Sequence, residues 1–443
     1  MSMELSGRKV LVLGLGISGR SAAAFCAARG ASVVAADERA ADALPGLDSI
    51  EAAVDLRCGR PLPDPADFDL VVPSPGVPPA RYAERAREVA GDVELAGHFL
   101  AAPIVAVTGT NGKSTVTCLV EAMLRACGLR AEAAGNLGRP ALELVGRPLD
   151  AAVIEVSSFQ LETTQRFAPR VAVILNLSPD HLDRHGSFEA YRDAKARILA
   201  NQTAEDAAIL FRDDPAVWSL AERCAGRVFA FGRSGPYQPG AWLDAGSIVL
   251  RDDGRELRAP LDGSDLGGAD RLNAAAALAA SAALGADPQR AATGLADFHL
   301  LPHRCEPVGL VDGVHFVNDS KATNPGAACA ALQRFSAPIV WIAGGRDKGL
   351  DFAPLADAAR GRVRTALLVG EASTSLERAL GDAVASERVG DVEAAVRRAA
   401  QLAEPGDVVL LSPACASFDQ FRSFEERGEH FRRAVANLTG GGR

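Results

Sequence analysis

Residues 104–117 read Ile-Val-Ala-Val-Thr-Gly-Thr-Asn-Gly-Lys-Ser-Thr-Val-Thr. A β-branched apolar run stops at a glycine-rich turn that carries Lys113 and Ser114, and a helical pattern follows. Such a turn directs the backbone N–H groups of Gly109, Asn111 and Gly112 at phosphate oxygens, as at a helix N-terminus. Lys113 adds a positive charge for the β- and γ-phosphates, and Ser114 a hydroxyl for Mg²⁺. The predicted co-substrate is ATP. A general phosphate loop has a glycine at the position of Val107, so this is a shorter variant whose first glycine is Gly109. A plain surface turn with a solvated lysine would not need the strand, both glycines, the Lys-Ser pair and the helix together.

Further polar groups fall at predicted strand ends. Glu155 lies inside the apolar run 151–156, where a carboxylate is costly unless it is paired or bound to a cation. Asn176 and Asp180-His181 follow a predicted strand at 171–175. Parallel strands deliver ligands to their C-terminal ends, and carboxylate plus imidazole beside a phosphate loop points to Mg²⁺. The competing reading pairs Glu155 with a nearby cation and uses His181 to cap a turn. Lys195, read from its neighbours alone, is a solvated helix lysine.

Three polar loops follow predicted strands in the last third of the chain: Asn318-Asp-Ser-Lys-Ala-Thr-Asn324, Gly344-Gly-Arg-Asp-Lys348 and Ser412-Pro-Ala-Cys-Ala-Ser417. Each alone is a helix cap. Together at one edge of one sheet they predict a cationic pocket for a small anion such as an acidic amino acid. At the other end of the chain, Gly14-Leu-Gly-Ile-Ser-Gly19 follows a strand, with Asp37 eighteen residues beyond Gly19. That pattern fits NAD or FAD, another phosphate ligand, or a tight structural turn. A nicotinamide-dependent oxidoreductase is therefore the rival reading. It is weakened because this region is short for two mononucleotide-binding halves, and because a second nucleotide loop follows without an evident hydride-transfer site.

The elements that must position these residues are α/β. Strands are predicted at 9–13, 32–36, 69–72, 151–156, 171–175, 314–318, 339–343, 366–369 and 408–411, and helices at 20–29 and 273–284. This alternation predicts mainly parallel sheets. We read three domains in series: a Rossmann-like domain over 1–91, a central ATP-binding domain over 92–299, and a Rossmann-like domain over 300–443. The chain has 443 residues, 48% of them hydrophobic and 5% aromatic, so Ala, Leu and Val carry the packing. A net charge of −9 argues against non-specific nucleic-acid binding. No signal peptide and no apolar stretch of about 18 residues is expected. The eight cysteines contain no C-x-x-C pair, which fits a reducing cytoplasm.

Taken together, the strings resemble the Mur ligases, the ATP-dependent amide-forming enzymes of peptidoglycan precursor synthesis. They are Gly14–Gly19, Ser74-Pro-Gly-Val77, Thr108-Gly-Thr-Asn-Gly-Lys-Ser-Thr115, Gly135-Asn-Leu-Gly138, Glu155-Val-Ser-Ser-Phe-Gln160, Asn176-Leu-Ser-Pro-Asp-His-Leu-Asp183, Leu301-Pro-His-Arg304, Asn318–Asn324 and Leu411-Ser-Pro-Ala-Cys-Ala-Ser-Phe-Asp419. The Ser-Lys-Ala-Thr-Asn and Ser-Pro-Ala-Cys-Ala-Ser strings are similar to the D-glutamate-adding branch.

The resemblance implies a domain organisation of three α/β units, the middle one resembling phosphate-loop ATPases. It implies UDP-N-acetylmuramoyl-L-alanine, D-glutamate and ATP as substrates of a cytoplasmic monomer. Leu15, Gly16, Ile17, Ser18, Asp37, Glu38, Arg39, Ser74, Pro75 and Gly76 would hold the UDP part, and Asn136 would touch the muramoyl group. Gly109, Thr110, Asn111, Gly112, Lys113, Ser114 and Thr115 would bind ATP, with Asn273, Arg304 and Asp319. Two Mg²⁺ ions are implied, one on Ser114 and Glu155, the other on His181 and on Lys195 carrying a CO₂-derived carbamate. Catalysis would fall to Lys113, Glu155, His181 and Lys195. Lys321, Thr323, Lys348, Ser417, Phe418 and Phe424 would hold D-glutamate. The family has His-Asn ahead of the Asn273 position; Ala269-Asp270 stand here, so Asp270 is given no adenine contact.

Overall fold

The structure is a computed structural model that describes residues 3–50, 53–261, 266–296, 298 and 301–440. It contains three sheets, one for each expected α/β domain, and by its internal contacts the chain groups into two compact units. The first unit comprises 1–177, 189–264 and 271–298; the second comprises 178–188, 265–270 and 299–443. Two short central segments, 178–188 and 265–270, group with the last third of the chain.

The first sheet is parallel, in the order Asp55–Cys58, Ser32–Asp37, Lys9–Leu13, Leu70–Pro73. Its first strand is flanked by strands reached in opposite directions, so the loop after Leu13 lies at a topological switch point. The helix begins at Ile17, three residues before the predicted start, and ends at Ala27. Apolar side chains at 10–13 are fully buried, as expected for a parallel strand covered on both faces.

The second sheet has nine strands. From Gly240–Asp244 inward the neighbours are parallel: Arg227–Gly232, Ala207–Phe211, Val171–Ile174, Ile104–Thr108, Ala151–Glu155 and Ala131–Gly135. Ser247–Asp252 and Arg255–Pro260 extend the other edge as antiparallel hairpins. Ile104–Thr108 sits between the strands ending in Glu155 and in Ile174, again a switch point. The helix predicted at 273–284 spans Ala269–Ala283, so Asn273 lies within its second turn rather than at its start.

The third sheet runs Glu306–Val311, Val314–Asn318, Val408–Leu411, Ile339–Gly344, Val363–Val369, Ser386–Gly390. Only its first pair is antiparallel. The late strand Val408–Leu411 inserts between two earlier ones, so Leu411 pairs with both Asn318 and Ile342. The three polar loops therefore leave neighbouring strand ends. Among the described residues no helix is long and apolar enough to cross a membrane.

Candidate active site

At the first glycine loop, a Cβ on Gly19 would run into the Gly14 carbonyl oxygen. Ser74 Oγ donates to that same oxygen at 2.7 Å, which ties the ends of two adjacent strands together. Leu15 is buried, Gly16 and Ile17 are exposed, and the Ser18 side chain hydrogen-bonds the buried Asp92. Asp37 accepts from Leu15 N at 2.8 Å, and from Arg39 through N and Nε at 3.0 Å each and Nη2 at 2.8 Å. Burial would raise the Asp37 carboxyl, but Arg39 and the two backbone donors outweigh it and hold it at about 2. Both oxygens are thus engaged within the loop system. Glu38 pairs with Arg81, while Pro75 is half-buried and Gly76 exposed.

The central loop is held by its neighbour strand. Thr110 N donates to Asn176 O at 2.8 Å, Asn111 N to Asn176 Oδ1 at 2.9 Å, and Asn176 Nδ2 returns to Asn111 O at 2.9 Å. Helix Lys113–Ala126 starts from Gly112, which has no side-chain acceptor, and has no acid in its first turn. The first turn of that helix thus carries no carboxylate of its own against its positive end, where phosphate is favoured. Gly112 has φ 87°, and a Cβ there would stand 2.5 Å from Asn273 Oδ1, which puts Asn273 beside the loop. Lys113 Nζ donates to Gly109 O at 3.0 Å and Thr110 O at 2.9 Å, lying back along the turn. Ser114 and Thr115 are buried in the first turn. Val107 is mid-strand, paired with Glu155 and Val173, so the absent glycine is a position the sheet has absorbed.

Glu155 ends the adjacent strand and is 1% exposed. Its Oε1 accepts from Asn136 Nδ2 at 2.7 Å, while Oε2 is buried with no hydrogen-bond partner among the described residues. A carboxylate oxygen in that state fits a cation. The competing reading of Glu155, a protein cation as partner, has no counterpart among the described residues. Among the described residues no group of three or more His, Cys, Asp and Glu side chains is placed to hold a metal. A magnesium site that relies on one carboxylate, a hydroxyl and substrate phosphates needs no such group.

Lys195 is corrected from a solvated lysine to one 2% exposed. Its Nζ lies 3.3 Å from Thr108 Oγ1 and 4.8 Å from the Tyr191 ring centroid. Tyr191 reaches Thr110 with its hydroxyl at 3.0 Å. The four-residue spacing of Tyr191 and Lys195 places both on one helix face, a signal present in the sequence but not assigned.

His181 belongs to the second unit, with φ 52° and Nε2 3.8 Å from Asp180 Oδ2. Buried Asp180 accepts from Lys348 Nζ at 3.1 Å and Asn324 Nδ2 at 3.3 Å. Burial raises its carboxyl, yet the charges of Lys348 and His181 bring it below the ordinary value. Asp319 is also buried. It accepts from Ser412 Oγ at 2.8 Å and Cys305 N at 3.2 Å, and desolvation pushes it up to about 7 despite these bonds and the Arg304 charge. Lys321 Nζ stands 3.8 Å over the Phe424 ring. Thr323 is half-buried, Ser417 buried and Phe418 exposed. Asp270 pairs with Arg334 in the same unit. The loops at 318–324, 344–348 and 412–417 are also bonded together: Asp319 N to Leu411 O at 2.7 Å, Gly344 N to Pro413 O and Arg346 N to Ala416 O at 2.8 Å each. The sequence reading missed the buried Arg427, which lies behind these loops; in the run Glu425-Glu-Arg427 it has the look of a solvated helix charge.

Three family models match in succession: Mur ligase MurD-like, N-terminal domain, over 8–96; Mur ligase middle domain over 107–282; and Mur ligase, glutamate ligase domain, over 303–415. The chain belongs to the Mur ligase family. It is 44% identical over 452 residues, covering 100% of both chains, to the UDP-N-acetylmuramoylalanine--D-glutamate ligase of Geobacter metallireducens. To the protein of the same name from Geotalea daltonii it is 43% identical over 99% of each chain. Among solved structures it is similar to UDP-N-acetylmuramate-alanine ligase MurC from Thermotoga maritima, with TM-score 0.63 and 18% identity over 98% of this chain and 100% of that one. MurF from Acinetobacter baumannii gives TM-score 0.63 and 19% identity over 98% and 91%. These two likenesses carry the fold. Nothing among the comparisons supports the oxidoreductase reading, and Asp37 is committed to Leu15 and Arg39.

Proposed function

We propose that this Mur ligase carries the activity of its named relatives, joining D-glutamate to UDP-N-acetylmuramoyl-L-alanine at the expense of ATP. The observation that carries the reading is 43–44% identity to such ligases over essentially the whole chain. The phosphate loop, the orphaned Glu155 oxygen and the cationic loop cluster support it. Domain limits at 91/92 and 299/300, a monomeric state and a cytoplasmic location are part of the proposal.

A free carboxylate resists amines because its carbon is electron-rich and oxide is a poor leaving group. Transfer of the γ-phosphoryl group from ATP to the substrate carboxylate releases ADP and leaves an acyl phosphate. The first-turn N–H groups and Lys113 stabilise charge on the transferring group, which is electrostatic and positional catalysis. Lys113 must leave the Gly109 and Thr110 carbonyls to do so. The unprotonated amine of D-glutamate then attacks the acyl carbon, and the tetrahedral intermediate collapses with loss of phosphate. Lys321 and Lys348 hold the carboxylates of D-glutamate. Lys348 exchanges Asp180 for the substrate.

Ser114 and Glu155 would hold one Mg²⁺, and His181 with a carbamylated Lys195 a second. Bound there, the ions would neutralise charge on the phosphates. The carbamate forms when the Lys195 amine attacks CO₂ and loses a proton. Lys195→Ala is expected to be nearly inactive and partly restored by short carboxylic acids. Full activity in that variant would overturn the carbamate.

The decisive assay is phosphate release with UDP-N-acetylmuramoyl-L-alanine, ATP and a panel of amino acids. Release that depends on D-glutamate is expected. Release with another amino acid alone would move the protein to a different branch.

A further inference from the structure

The three loops assigned to the amino acid meet on one buried cation that the sequence strings did not single out. Arg427, in the first turn of helix Phe424–Gly440, is 1% exposed. Its Nε donates to Ser320 Oγ at 3.0 Å, Nη2 to Ser320 O at 2.8 Å and Nη1 to Cys415 O at 3.1 Å. None of these acceptors is a carboxylate, and burial lowers the guanidinium to about 10.

Ser320 lies between Asp319 and Lys321, and its Oγ donates to Phe424 O at 2.8 Å. Cys415 lies two residues before Ser417. The third loop is reached by close packing: a Cβ on Gly345 would stand 3.1 Å from Arg427 Nη1, three residues before Lys348. A buried guanidinium is costly without good partners. Here all three of its nitrogens are used on backbone or hydroxyl oxygens, from two loops that are far apart in sequence. A planar fork can bridge such acceptors in a fixed geometry; a lysine ammonium on a flexible stem cannot.

We propose that Arg427 is the positioning residue of the D-glutamate pocket, clamping the loop of Lys321 and Thr323 against the loop of Ser417 from behind without touching substrate. The proposal rests on the reading of these loops as the amino-acid pocket. It makes the first turn of the last helix part of the specificity apparatus rather than a cover over the sheet.

The test is steady-state kinetics of the full chain with R427K, Ser320→Ala and Lys348→Ala, each substrate varied in turn. R427K is expected to raise the D-glutamate KM at least tenfold and to leave the KM values for ATP and the UDP-linked substrate within about twofold. Ser320→Ala, which removes one acceptor and little volume, is expected to show the same selectivity at a smaller size and keeps the test open should R427K fail to fold. A merely structural arginine would instead raise all three KM values together or lower only the amount of active protein; either result overturns the role. An unchanged D-glutamate KM in R427K with a raised one in Lys348→Ala overturns the clamp and leaves the pocket standing. An unchanged value in both overturns the pocket itself.

Discussion

Two glycine-rich loops in this chain share a plan and differ in how they are held. Each follows a parallel strand whose apolar residues are buried, at a switch point, and leads into a helix. The loop at 14–19 is closed on itself. Gly19 packs on Gly14, Ser74 holds the same carbonyl, and the nearby acid is neutralised by Arg39. The loop at 109–115 is braced from outside by Asn176 and keeps a lysine and a hydroxyl at its helix start. The first resembles a grip for something that stays intact. The second has the groups needed when a phosphate is transferred. A glycine pattern alone does not separate these arrangements; the side chains around each loop do.

The comparison breaks most readily at Lys113. Lys113→Ala should cut D-glutamate-dependent phosphate release on the order of 1,000-fold with little change in the urea unfolding midpoint, since the side chain is half-exposed at the turn. Residual turnover near wild type would make the second loop a grip as well. Next in size is a pair of glycine substitutions. Gly19→Ala forces the Gly14 carbonyl aside and should cost roughly 2 kcal/mol of stability. It should also weaken UDP-substrate binding, measured calorimetrically, and leave ATP binding unchanged. Gly112→Ala, strained by its positive φ and by Asn273, should do the reverse. Equal effects on both ligands from either variant would remove the division of labour.

The smallest effect concerns Asp37. Its folded value, about 2, lies below the ordinary 3.8, so its contribution is complete above roughly pH 4 and is lost as pH falls towards 2. Asp37→Asn should therefore destabilise by about 1 kcal/mol at pH 6, a modest figure because Arg39 is 58% exposed. The gap between variant and wild-type unfolding midpoints should close between pH 4 and pH 2. A gap that stays constant would mean that Asp37 acts by shape and not by charge.

Much of the site was legible because strand-loop-helix units print themselves locally. The β-branched run before Gly109, the apolar run around Glu155 and the polar loops after 318, 344 and 411 all fall where parallel strands end. Boundaries moved by a few residues, as at Ile17 and Ala269, where the helices begin three and four residues ahead of the predicted starts. The state of Lys195 was misread because periodicity records which face a residue occupies, not how deeply that face is covered.

The order of residues alone determined the α/β class, the strand-loop-helix that carries Lys113 and Ser114, and the kinship with the Mur ligases. Those properties live in short segments, where spacing fixes the backbone conformation. Only the tertiary structure decided that Glu155 keeps one buried oxygen without a donor and that Asp37 is spent on Arg39. It also decided that Lys348 rests on Asp180 and that Arg427 ties Ser320 to Cys415. Lys348 with Asp180 and Arg427 with Ser320 are contacts between residues far apart in the chain. Burial and charge pairing arise only when strands from different segments lie side by side.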